Sequence, residues 1–138
     1  RAADFFLGPL STVLADDELI VEVRLPAWPA GRRWGFEEFA RRRGDFAVAG
    51  IAVFYDPDAR GVACNTHVGV IGACHRPHRL AGAEAALNGR VADEQAILAA
   101  ANVAAADVDP PTDLHASAAY RRALVGTLLE RAMMRASR

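Results

Sequence analysis

The spacing of the apolar residues changes once along this chain, and that change limits the folds open to it. Up to about residue 71 the apolar positions recur every second residue or run in short β-branched blocks. Beyond about residue 79 they recur at helical spacing. From Glu18 to Leu25, Leu19, Val21, Val23 and Leu25 share one face, and Glu18, Glu22 and Arg24 share the other with Ile20. This spacing predicts a half-buried strand that Pro26 ends, with a loop over Ala27–Gly31. Trp34 to Arg42 reads as a second strand, with Trp34, Phe36, Glu38 and Ala40 on one side. Ala47–Tyr55 and Val62–Ile71 flank the turn residues Asp56-Pro57-Asp58-Ala59-Arg60-Gly61, so residues 46–71 read as an antiparallel hairpin.

In the second half, Arg79 to Leu87 reads as a short helix closed by Asn88-Gly89. Asp93 can cap a helix running to about Val108, with Ile97, Leu98, Ala101 and Ala105 inward, and Asp109-Pro110-Pro111 stops it. Ser117 can cap a last helix whose stripe is Tyr120, Leu124, Leu128 and Ala132. Strands followed by helices predict an α+β domain, with helices over one face of an antiparallel sheet. The start of the chain, residues 1–16, reads as a short helical or irregular lead-in with a turn at Gly8-Pro9.

Composition narrows the function classes. With 138 residues and 52 % of them apolar, the chain can bury the core of a single domain, 1–138. A net charge of −1 gives no electrostatic case for nucleic acid. No apolar run approaches the ~18 residues of a membrane span. Cys64 and Cys74 are too few for a disulfide framework and suit a reducing cytoplasm at least as well as a single bridge. With His75 and His78 they do not make a standard zinc spacing, so no metal site is expected. No nucleophile–base pair is readable, and Ser117 is best explained as a helix cap. All sixteen cationic side chains are Arg. The group Arg121, Arg122, Arg131 and Arg135 reads as a solvated face of the last helix, or as a subunit contact.

Several short segments occur in a fixed order: Phe5-Phe6-x-Gly8, Glu18-Leu19-Ile20-Val21-x-Val23-x-Leu25-Pro26, Phe36-x-x-Phe39-Ala40-x-Arg42-x-Gly44-Asp45-Phe46-Ala47, Gly69-Val70-Ile71-Gly72, Glu84-Ala85-Ala86-Leu87-x-Gly89 and Ser117-Ala118-x-Tyr120-Arg121. In that order and spacing the chain resembles the C-terminal domain of the FAD-binding (medium) subunit of molybdenum hydroxylases. That family includes aerobic carbon monoxide dehydrogenase and xanthine dehydrogenase. The resemblance implies a three- to four-stranded antiparallel sheet on about three helices. It also implies that the N-terminal subdomains with the Gly-rich phosphate loops lie outside this chain.

By the same resemblance, this domain covers one side of the isoalloxazine of FAD and helps dock the small subunit. Electrons would pass from a molybdenum cofactor on the large subunit, through [2Fe-2S] clusters on the small subunit, to FAD and then to an acceptor. This domain by itself would hold no chemistry. The resemblance places Ile20 or Val21 at the flavin. It places Glu38 where the family carries Lys, and it places Arg42 and Asp45 in a loop beside the ring. A carboxylate at position 38 repels flavin or phosphate charge that a Lys would attract. The closing Tyr-Arg implies Tyr120 on the core with Arg121 at its rim. Read without the resemblance, Glu38 is a solvent-facing strand residue, and Arg42 and Asp45 pair with each other or cap strand ends. The whole chain then reads alternatively as a free-standing, non-catalytic interaction module that kept the fold without flavin.

Overall fold

In the computed structural model, which describes residues 1–137, the order of strands and then helices holds with one exception. A short helix α1 (Ala2–Phe5) leads into a two-stranded hairpin, β1 (Phe6–Gly8) and β2 (Ser11–Thr12). The main sheet is an antiparallel meander in the order β3 (Arg33–Phe39), β4 (Ala49–Pro57), β5 (Ala63–Ile71) and β6 (His78–Arg79). It is followed by α2 (Ala81–Leu87), α3 (Glu94–Asp107) and α4 (Ala118–Ala136). The expected antiparallel sheet of three to four strands with about three helices is present; its fourth strand is β6, which the sequence did not indicate, and its central hairpin is β4–β5.

The exception is Glu18–Leu25. The expected strand is not formed: residues 18–29 are irregular, and no strand of the described residues hydrogen-bonds to them. Alternation gives a segment the side-chain pattern of a strand, but a strand also needs a neighbour to take its backbone N–H and C=O groups. Among the described residues the segment has none.

The inward face of the sheet is Ile51, Val53 and Tyr55 of β4 with Val68 and Val70 of β5, each at most 3 % exposed. They pack against Leu87 of α2, Ile97 of α3 and Leu129 and Met133 of α4 in one buried cluster. Two caps expected from sequence are formed: Asp93 accepts from the Ala96 N–H at 2.8 Å, and Ser117 accepts from the Tyr120 N–H at 3.2 Å.

The buried faces of the two long helices match expectation at Ile97, Ala101, Leu128 and Ala132 and depart from it elsewhere. On α3, Ala100 and Ala104 are buried whereas Leu98 is 49 % exposed. On α4 the buried face runs through Arg121, Val125, Leu128, Leu129, Ala132 and Met133, while Tyr120 is 46 % exposed. The cause is close approach. A Cβ on Gly35 of β3 would overlap the Ala132 carbonyl of α4, 2.7 Å from its carbon. A helix seated this near a strand turns its small residues, rather than its largest, toward the contact.

Candidate functional site

Because α2, α3 and α4 cover one face of the sheet, the chemistry open to a ligand lies on the other face and at its ends. Pairing across β3, β4 and β5 sets three rows on that outer face: Trp34–Phe54–His67, Phe36–Ala52–Gly69 and Glu38–Gly50–Ile71.

The first row is filled by the chain itself. Arg32 lies with its guanidinium carbon 4.4 Å from the Phe54 ring centroid and 5.1 Å from that of Trp28. It forks onto Asp56 at 2.7 and 2.8 Å. Asn65, held at φ +50° in a bulge opposite Tyr55, donates to the same carboxylate at 2.9 Å. These bonds, Arg32 first and Asn65 second, hold the Asp56 carboxyl down to about 2. His67 stacks on Phe54 at 4.4 Å, and burial pushes its imidazole below its ordinary value, with Arg79 adding to the effect.

The second and third rows are open. Gly50, Ala52 and Gly69 give a floor of small residues, and a Cβ on Gly69 would meet only the Ala52 carbonyl oxygen, at 3.8 Å. Phe36 and Ile71 wall this trough, Phe6 closes it from the N-terminal segment, and Arg79 lies at its rim. Together they enclose about 380 Å³. A flat apolar floor walled by an aromatic and a branched side chain suits a planar ring. Arg79 is already committed, forking onto the buried Glu84 at 2.7 and 2.6 Å.

The strand ends beside this trough are joined by the loop 40–48, in which the Asp45 N–H donates to the Arg42 carbonyl at 3.1 Å and Gly44 takes φ +91°. Arg41, Arg42, Arg43 and Asp45 are exposed, and Phe46 is fully so. The loop is tied down from beneath by Arg121. This guanidinium is 5 % exposed and donates to the Val48 carbonyl at 2.6 Å, the Gly72 carbonyl at 2.8 Å and Asp113 at 2.7 Å. Asp113 also accepts the His115 and Ala116 N–H groups, and these bonds together with Arg121 hold its carboxyl down to about 2. A second cavity of about 510 Å³ lies above this clamp, lined by Arg41, Asp45, Phe46, His115 and Arg121.

Of the residues expected at a site, Glu38 stands on the outer face in the third row, and Arg42 and Asp45 stand in the adjoining loop. Arg42 and Asp45 form no ion pair with each other among the described residues, and their link is the backbone turn. Ile20 and Val21 lie apart, 53 % and 89 % exposed on the unpaired segment. Arg121 corrects the rim assignment, since it is buried and Tyr120 is the rim residue, edge-to-face with Phe39. The basic group on α4 is likewise not one solvated face: Arg135 pairs with Glu37, and Arg122 with Asp109.

Sequence reasoning missed Gly50, Gly69 and Phe46. A glycine inside a strand signals close approach of another body, and that signal was available. The exposure of Phe46 had none. Cys64 and Cys74 are free thiols, and burial pushes the Cys74 thiol up. Among the described residues no group of three metal-ligating side chains occurs, and no hydroxyl or thiol is bonded to a His or carboxylate. The arrangement can bind and shield a ring and set charge beside it.

Residues 34–136 match the family described as the CO dehydrogenase flavoprotein C-terminal domain. Over 136 residues the chain is 37 % identical to the nicotine 6-hydroxylase medium subunit of Paenarthrobacter nicotinovorans, covering 99 % of this chain and 47 % of that protein. It is 33 % identical over 132 residues to the carbon monoxide dehydrogenase medium chain of Hydrogenophaga pseudoflava, covering 96 % and 46 %. The solved carbon monoxide dehydrogenase from Hydrogenophaga pseudoflava superposes with a TM-score of 0.91 at 36 % identity, over 98 % of this chain and 47 % of that one. Quinoline 2-oxidoreductase from Pseudomonas putida 86 superposes with a TM-score of 0.89 at 31 % identity, over 99 % and 47 %. The chain spans about half the length of the relatives it matches.

Proposed function

This chain belongs to the CO dehydrogenase flavoprotein C-terminal domain family, and from that premise we propose that it is part of the FAD-binding medium subunit of a molybdenum hydroxylase. In that role it covers the flavin ring and helps dock the [2Fe-2S] small subunit, beside a large subunit that carries the molybdenum cofactor. The observation that carries this reading is the small-residue trough on the outer face of the sheet, two of whose strands, β3 and β4, are joined by the arginine-bearing loop. Bound FAD would supply the redox chemistry between the iron–sulfur clusters and an acceptor.

The residues of this chain fit one side of a flavin ring but not its phosphates, because among the described residues no Gly-rich turn joins a strand to a helix N-terminus in the phosphate-binding manner. Gly50, Ala52 and Gly69 would admit the ring, and Phe36 and Ile71 would keep water from it. Glu38 lies at the edge of the trough as a negative charge, and Arg42 and Asp45 bring opposite charges on the loop. Charge placed this close tunes a bound cofactor's potential. Ile20 or Val21, exposed on the segment before β3, would reach the flavin from outside the trough. A cytoplasmic setting goes with the two free thiols. No helix of the described residues is long and apolar enough to cross a membrane.

The test is flavin content and potential in the subunit purified with its neighbours. Stoichiometric FAD is expected. Glu38→Lys is expected to raise the flavin midpoint potential and Arg42→Ala to lower it, because reduction adds negative charge to the ring. A native complex without flavin would overturn this reading and leave the interaction module.

A further inference from the structure

Consecutive residues at the start of α4 hold the two ends of the loop 40–48. At its entry, Tyr120 packs edge-to-face on Phe39, the last residue of β3, at 6.1 Å. At its exit, a single nitrogen of Arg121, Nη1, donates to the Val48 carbonyl at 2.6 Å and to the Gly72 carbonyl at 2.8 Å. Gly72 lies against the same stretch of chain. It takes φ +75°, and a Cβ there would stand 2.7 Å from the Ala47 carbonyl oxygen and 2.9 Å from that of Val48. The other terminal nitrogen, Nη2, donates to Asp113, whose own N–H closes a turn on the Ala116 carbonyl at 3.1 Å. Between its ends the loop keeps one internal turn, from Asp45 to Arg42. Among the described residues no other hydrogen bond or ion pair ties residues 40–47 to the rest of the chain.

Packing alone does not account for Arg121. A buried guanidinium carries a desolvation cost that an apolar side chain of similar size avoids. Its Nε is buried without a partner among the described residues. The donors it does use end on the loop's exit, on the turn beside that exit, and on the segment that supports them both. What the clamp holds in place is charge. Arg41, Arg42 and Arg43 stand in the loop against the single carboxylate of Asp45, and all four side chains are exposed. Such charges act on a neighbour only as strongly as their distance is fixed. We propose that Arg121, with Tyr120 beside it, is a positioning residue for the flavin: it fixes the loop's net positive charge at a set distance from the ring and so sets the flavin's potential. Neither residue lines the trough, so both act through the loop. This inference rests on the reading of the chain as a flavin-covering domain. Positive charge near the ring favours the reduced, more negative flavin, so a loosened loop lowers the potential.

Two measurements on the subunit purified with its neighbours test it. Amide hydrogen exchange reads the clamp without reference to flavin. The Asp45 and Val48 N–H groups are expected to exchange about tenfold faster in Arg121→Met. The flavin midpoint potential reads the consequence. Arg121→Met and Tyr120→Ala are each expected to lower it, whereas Leu129→Ala, which weakens the core, leaves it unchanged. In a subunit whose loop is made neutral by Arg41→Gln, Arg42→Gln, Arg43→Gln and Asp45→Asn, neither substitution should shift it further. Tyr120 is half-exposed, so Tyr120→Ala keeps the test open if Arg121→Met does not fold. In a complex that carries FAD, an unchanged potential, or an equal fall in the neutral-loop subunit or in Leu129→Ala, overturns this inference alone. Unchanged exchange at Asp45 and Val48 overturns it whether or not FAD is bound. A native complex without FAD overturns the underlying reading, and this inference with it.

Discussion

Two carboxylates and one guanidinium illustrate how single residues fix this molecule. Asp56 and Asp113 sit well below the ordinary carboxylate value of ~3.9, each at about 2. A depressed carboxyl contributes stability above its unfolded value and loses it as pH falls through its folded value. Thermal melts are therefore expected to steepen in pH dependence between about pH 4 and pH 2. Asp56→Asn should lower the melting temperature at pH 7 and flatten that acid limb. Arg121→Met should expose the other device. It leaves the Val48 and Gly72 carbonyls buried without a donor, at about 1–3 kcal/mol each, readable as a lower urea midpoint. An exposed arginine on the same helix, Arg131→Met, should change little. Arg121 stood in the motif visible in sequence, but its burial did not, because burial depends on which side of α4 meets the sheet.

At the scale of elements, the close crossing of α4 over β3 governs the packing. Gly35→Ala forces a methyl into the Ala132 carbonyl and should cost about 1–3 kcal/mol in chemical denaturation. Leu129→Ala, which opens a cavity in the same layer, should cost about 2–5 kcal/mol. The hairpin β4–β5, the helix α3 with its Asp93 cap and the Ser117 cap of α4 were legible in sequence, since turn residues, caps and period act over a few neighbours. The phase of the helices was legible only in part. Leu98 and Tyr120 look like core residues by size, but alanines and a glycine set the distances and turn those larger groups outward.

Across the whole molecule, residues 33–137 share one core, whereas residues 13–31 are all exposed. Thermolysin, which cuts beside large apolar residues, should cleave the 138-residue chain first within 19–25 and leave the sheet-and-helix body resistant, as followed by mass spectrometry. The sequence by itself determined the α+β class, the antiparallel hairpin, the helix ends and the family, because each rests on local chemistry or on an ordered series of short motifs. It also placed Glu38, Arg42 and Asp45 on a strand and its adjoining loop. Only the tertiary structure decided that Gly50, Ala52 and Gly69 form an open trough beside Glu38, that Arg121 clamps the loop from beneath, and that Glu18–Leu25 stands unpaired. Those are relations between residues far apart in sequence. They depend on register across the sheet, on the side of the sheet the helices cover, and on whether a strand has a neighbour to complete its hydrogen bonds.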